Sequence, residues 1–313
     1  MYYPYLRGKQ YELLALRELY EKKLIGKHVI PIIEPVRFNS GFVLFLEKTK
    51  RFRTYIITNP QVGSFLFDFS NLNDDSLKER LSSSVIGSLV EFGQIIPVSN
   101  QQINNVPVWI PAGCSDAAFC FAESELCKDR LETSPDFEAF IVDDSRSLLR
   151  LIPENSVKIV FKDCFPKQKK NSLYTNSDDE FFSDEHLFFK KDGFAGFSDA
   201  SVIGMDYSDS GYAPTAVAIH LVYFSQNMEL RVHHFVSEEN YERNNIAGMF
   251  KSAAEAIPEF VKQNKVMKTS GLIQLLGKIE DGSFPGLGVL KKYSIMHHLE
   301  LMEAYFAGKQ VRV

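Results

Sequence analysis

Apolar and polar positions follow a two-part rhythm along the first half of this chain, a short apolar run and then a longer stretch with helical spacing. "YYPYL" (2–6) predicts a strand, and "QYELLALRELYEKKL" (10–24) places Leu13, Leu16 and Tyr20 on one helical face with charges opposite. "HVIPIIEPV" (28–36) is a near-continuous apolar run, as expected of a strand covered on both sides, and "GFVLFLEKTKRF" (41–52) predicts the next helix. "TYIITNP" (54–60) leads through a polar stretch into a predicted helix over 75–93, with Asp75 as its N-cap. "QIIPV" (94–98) and "VPVWIPA" (106–112) are strand candidates, followed by a predicted helix over 115–131. "FEAFIVDD" (137–144) and "VKIVFKD" (157–163) repeat the strand grammar, each ending in an acidic residue.

The rhythm changes near Ser172. Residues 171–193 mix a polar loop with an aromatic and acidic segment that reads as helical. "TAVAIHLVYF" (215–224) and "ELRVHHFVS" (229–237), four residues apart, predict an antiparallel hairpin. Three helices are expected after it, over 245–264, 270–282 and 287–308. Seven to nine strands alternating with helices point to an α/β fold, a (β/α)8 TIM-barrel-like architecture with a late β-hairpin and C-terminal helices. The competing open, doubly wound sheet lacks support, because neither GxGxxG nor GxxxxGK[ST] follows a strand. The expected organisation is one barrel-like domain over 1–313, with 171–214 as an irregular insertion and 245–313 as C-terminal helices.

Composition narrows the function classes. A chain of 313 residues that is 45% hydrophobic can bury a large core, and its net charge of −5 argues against general attraction to nucleic acid. Cys114, Cys120, Cys127 and Cys164 show no zinc-ligand spacing, so reduced thiols are expected. The first residues lack a basic stretch followed by an apolar one, and no run approaches the ~20 apolar residues of a membrane span. The expectation is a soluble, cytoplasmic protein.

In a barrel the loops after the C-terminal strand ends build the site. Those positions hold Arg7, Lys9, Glu34, Asn59, Asp143 or Asp144, Lys162, Asp163 and Asp199. Glu34, Asp163 and Asp199 are the candidate catalytic carboxylates, with His220 of the hairpin as a candidate base; Arg7, Lys9, Asn59 and Lys162 are the candidate ligand contacts. Carboxylates with lysines could serve metal-assisted phosphoester chemistry. The structural alternative pairs Glu34 with Lys9 or Arg7 and leaves a solvated rim. His233 and His234 fall on opposite strand faces, so at most one of them can join His220. For His297 and His298, packing and surface contacts are a sufficient explanation. Asp199, Asp206 and Asp209 lack EF-hand spacing, and no GxSxG or HExxH motif occurs. The residues name no cofactor and no metal site.

"YYPYLRGKQYELLALREL", "VIPIIEPV", "GFSD" (196–199), "AIHLVYF", "RVHHFVS" and "FPGLGVLKKYSIMHHLEL" together resemble the "beta protein" family of bacterial and phage genomes. The resemblance implies a phage-defence or mobile-element setting and carries no activity with it. The expected function is therefore non-catalytic recognition or partner binding, with a protein partner such as a phage component or an effector subunit and no membrane. The alternative is a metal-assisted phosphoester hydrolase or transferase, for which a phosphate-containing ligand is expected.

Overall fold

A computed structural model describes residues 1–72, 74–95, 115–120, 128–129, 137, 139–209, 214–242 and 244–313. The strands are β1 (Tyr5–Leu6), β2 (Ile32–Ile33), β3 (Thr54–Ile57), β4 (Val90–Ile95), β5 (Ser115–Cys120), β6 (Ala139–Val142), β7 (Val157–Phe161), β8 (Asp179–Ser183), β9 (Gly196–Ser198), β10 (Ala218–Phe224) and β11 (Leu230–Val236). All pairings in the sheet β1-β2-β3-β4-β5-β6-β7-β9 are parallel. Tyr2 bridges in parallel to both Val29 and Phe197, and the Tyr3 and Tyr5 amides donate to the Phe197 and Asp199 carbonyls at 2.9 and 2.8 Å. Those bonds join the first strand to the last, so this is the expected (β/α)8 barrel.

Aromatic rings fill the barrel. Tyr3 meets Tyr55 at 6.3 Å, Tyr55 meets Phe119 edge-on at 6.4 Å, and Tyr5 meets Phe161 edge-on at 6.0 Å. These partners sit on strands that are not neighbours, so their shared face is the interior. Gly93 on β4 makes room for them, since a Cβ there would run into the Phe119 ring.

The chain divides into two compact units: one of 1–13, 29–163 and 185–200, which holds the barrel strands, and one of 14–28, 164–184 and 201–313. In the second unit β10 and β11 form the expected antiparallel hairpin, and β8 adds a third strand beside β11. Val217, Ile219, Leu221, Tyr223 and Phe235 form one apolar cluster with residues of the helices Ile246–Ala254, Ile257–Gln263 and Ser270–Glu280. The last helix is Leu287–Phe306.

Several boundaries differ from the sequence reading. Ser115–Cys120 is a strand where a helix was expected; Ala117 through Cys120 are all fully buried, so the polar alternation that marks a strand is missing. The helix expected over 75–93 stops at Val85, and Val90 begins β4. Its N-cap is Asp74, whose carboxylate accepts the Leu77 amide at 3.0 Å, one residue before the expected cap. The strand candidate at 106–112, Cys114 and Cys127 lie outside the described residues, as do 96–98 of the candidate at 94–98 and 121–127 and 130–131 of the candidate at 115–131. Within 171–193, Phe181 and Phe182 belong to β8 and not to a helix; Phe181 is half exposed and Phe182 buried, the alternation of a strand.

Candidate functional site

Parallel pairing puts the C-terminal ends of the barrel strands at one mouth, and Glu34, Asn59 and Asp163 all follow those ends, as expected. Gly8, at φ +63, lets the chain leave β1 against Ile33 and Pro35. Glu12, in the first turn of the helix Gln10–Glu21, reaches back to accept the Arg7 and Lys9 backbone amides at 2.8 and 3.3 Å. This is the carboxylate half of a capping box.

Tyr3, Tyr5 and Arg7 alternate onto the interior face, and Glu34 meets the last two there. The Tyr5 hydroxyl donates to Glu34 Oε2 at 2.5 Å, and Arg7 Nη1 donates to the same oxygen and to the Tyr5 hydroxyl at 3.1 Å. The Gln61 backbone amide donates to Glu34 Oε1 at 2.6 Å. Glu34 is completely buried and Arg7 is 8% exposed. Burial pushes the Tyr5 phenol well above its usual range, which keeps it a proton donor. Of the two cations weighed as partners of Glu34, the structure selects Arg7.

The other sequence candidates do not gather around this pair. The Asn59 side chain donates to the Ile95 carbonyl and accepts its amide, both at 2.8 Å, so it fastens β3 to β4. Lys162 is exposed and ion-paired with Glu185 at 3.1 Å. Asp163 is exposed beyond the end of β7. Asp143 accepts the Ser145 amide at 3.0 Å in a local turn. Asp199 is buried and accepts the Tyr2 hydroxyl at 2.7 Å. Tyr2 stacks on Phe197 at 5.0 Å and Phe197 meets Phe189 outside the sheet, so Asp199, two residues beyond Phe197, shares their face. Glu34 and Asp199 therefore serve opposite sides of the barrel wall. Among the described residues, no group of three or more His, Cys, Asp or Glu is placed to hold a metal ion.

In the second unit, His220 and His234 sit directly opposite each other on β10 and β11, their Nδ1 atoms 2.7 Å apart. His234 Nε2 faces Glu180 Oε2 at 3.2 Å, and the Tyr174 ring lies 4.7 and 4.5 Å from the two imidazoles. Burial, and then the neighbouring His234, pushes His220 down to about 3. His233 points to the other face, against Asp179 and Phe260. His297 and His298 are both fully buried, which corrects the expectation of surface contacts. His297 bonds the Thr269 hydroxyl and the Val222 carbonyl, each at 2.7 Å, and His298 bonds Ser201 at 2.9 Å.

Sequence reasoning missed Gln61, Tyr174 and Glu180. Gln61 acts through its backbone amide, which has no sequence signature. Tyr5 was detectable, because period-two alternation puts it on the face of Arg7.

No protein-family model matches the chain, and no curated protein matches it. A search of solved structures finds a chain of the tryptophan synthase a2b2 complex from Pyrococcus furiosus, at 10% identity and a TM-score of 0.35. That match covers 64% of this chain and 87% of the other. Likeness at this level carries nothing about activity.

Proposed function

We propose that this chain is a non-catalytic recognition or partner-binding protein whose barrel is a rigid frame. The observation that carries the reading is the occupation of Glu34: one oxygen takes Arg7 and Tyr5, the other takes the Gln61 amide, and the carboxylate is fully buried. A general base or a metal ligand needs a lone pair directed at the ligand. Three of the roughly four lone-pair sites of the Glu34 carboxylate are taken by the fold and the group is fully buried, and Asp199 serves the other side of the wall. The proposed partner is a protein. The phage-defence or mobile-element setting rests on the family resemblance of the sequence alone. No described helix is long and apolar enough to cross a membrane.

The test is hydrolysis of a panel of phosphomonoesters and phosphodiesters with Mg2+ or Mn2+, using wild type and Glu34→Gln. The expected result is no turnover above the metal blank in either protein. Metal-dependent turnover in wild type that disappears in Glu34→Gln would establish the hydrolase instead.

A further inference from the structure

We propose that His220 and His234 form an acid-sensitive latch holding residues 171–183 in the second unit. The geometry fixes a direction of hydrogen bonding. With Glu180 ionised, His234 Nε2–H donates to Glu180 Oε2, which leaves His234 Nδ1 as an acceptor. His220 Nδ1–H then donates to His234 Nδ1 across 2.7 Å. The chain Glu180–His234–His220 holds together while the pair carries one shared proton between its Nδ1 atoms.

A first added proton can stay. It charges His234 beside Glu180, and His220 changes tautomer so that its Nδ1 becomes the acceptor. A second proton cannot, because both Nδ1 atoms would then carry hydrogens at a distance that suits only one. The groups facing the pair are Glu180 of β8, Tyr174 of the 3-10 helix Asn171–Asn176, and the Phe165 ring at 5.0 Å from His220. Asp179 and His233 lie on the far face of the sheet, close enough for their charges to act on His234. Glu180 is the carboxylate in contact with the pair and offsets one charge.

Separation of the two imidazoles removes the surface on which Tyr174 rests and strains the contact of β8 through Glu180. The β10–β11 backbone ladder runs over seven residue pairs and the β8–β11 ladder over four, with Asp179 also bonded to Tyr223 and Arg231, so the hairpin is the better held of the two without these imidazoles. Acid therefore loosens 171–183 more than the hairpin. Burial of the imidazoles places the transition below the usual histidine value of about 6.5.

Amide hydrogen exchange, corrected for intrinsic rates, tests the latch in the full chain at neutral pH and at about pH 4.5, two units below the free imidazole value. In wild type, protection over 171–183 should fall by about tenfold or more beyond any fall over 218–236, the equivalent of one unit of pKa shift. In His220→Gln the pH dependence over 171–183 should shrink to less than about a third of the wild-type change. Equal pH dependence in both proteins, or none in wild type, overturns the proposal. If His220→Gln does not fold, ring-carbon NMR of wild type decides: His220 must remain neutral at pH 6, and an ordinary titration there overturns it.

Discussion

A buried histidine with both nitrogens bonded is a statement about pH. His297 bonds the Val222 carbonyl and the Thr269 hydroxyl inside the second unit, and burial pushes it down to about 4. Unfolding returns it to the usual value near 6.5, so the unfolded chain binds the proton more tightly. Its contribution to stability is complete above about pH 6.5 and is lost as pH falls toward 4. Glu18 adds a second, lower step. Burial opposes its charge, yet bonds from Lys22, Lys292 and Gln274 bring it down to about 2, so its contribution is lost below the usual carboxylate range. Urea midpoints should be level between about pH 7 and 8 and fall steadily from about 6.5 to 4. A midpoint unchanged at the acid end would contradict this assignment. Neither group was legible as a stability determinant in the sequence: His297 sits in a helix with apolar neighbours, and its partners are 28 and 75 residues away.

At the scale of elements, a strand with polar residues spaced along it announces itself, and an unbroken apolar strand does not. The hairpin of β10 and β11 was legible because polar residues punctuate it, with His220 and His234 on one face and Leu221 and Phe235 on the other. Ser115–Cys120 was not, because nothing along Ala117–Cys120 reaches solvent. The neighbouring strand makes the dependence on close packing testable. Gly93 lies under the Phe119 ring, and a methyl group there must displace either the ring or the Ala117 carbonyl. Gly93→Ala should cost about 1–3 kcal/mol, the usual penalty of overpacking, read from urea unfolding. A neutral or stabilising result would mean that the rings are not packed across the barrel as described.

For the whole molecule, the barrel brings Arg7, Glu34 and Asn59 to one mouth, and each of these side chains then holds the barrel wall together. That they sit at strand ends was legible, because the apolar runs that carry them lead directly into charged or polar residues. Their employment was not. The sequence cannot show that Phe197 packs outward and takes Asp199 with it, or that a backbone amide at Gln61 closes the second oxygen of Glu34. If Glu34 works for the fold, the thermal stability of Glu34→Gln must show it. A residue held strained for catalysis is typically replaced with no loss or a gain in stability. Removal of one partner of a buried ion pair costs about 3–5 kcal/mol, because the other charge is left uncompensated. Glu34→Gln is expected to lose about 3 kcal/mol, since it removes the buried charge that Arg7, the Tyr5 hydroxyl and the Gln61 amide all bond; an unchanged or raised melting temperature would contradict this and return the mouth to the status of an active site.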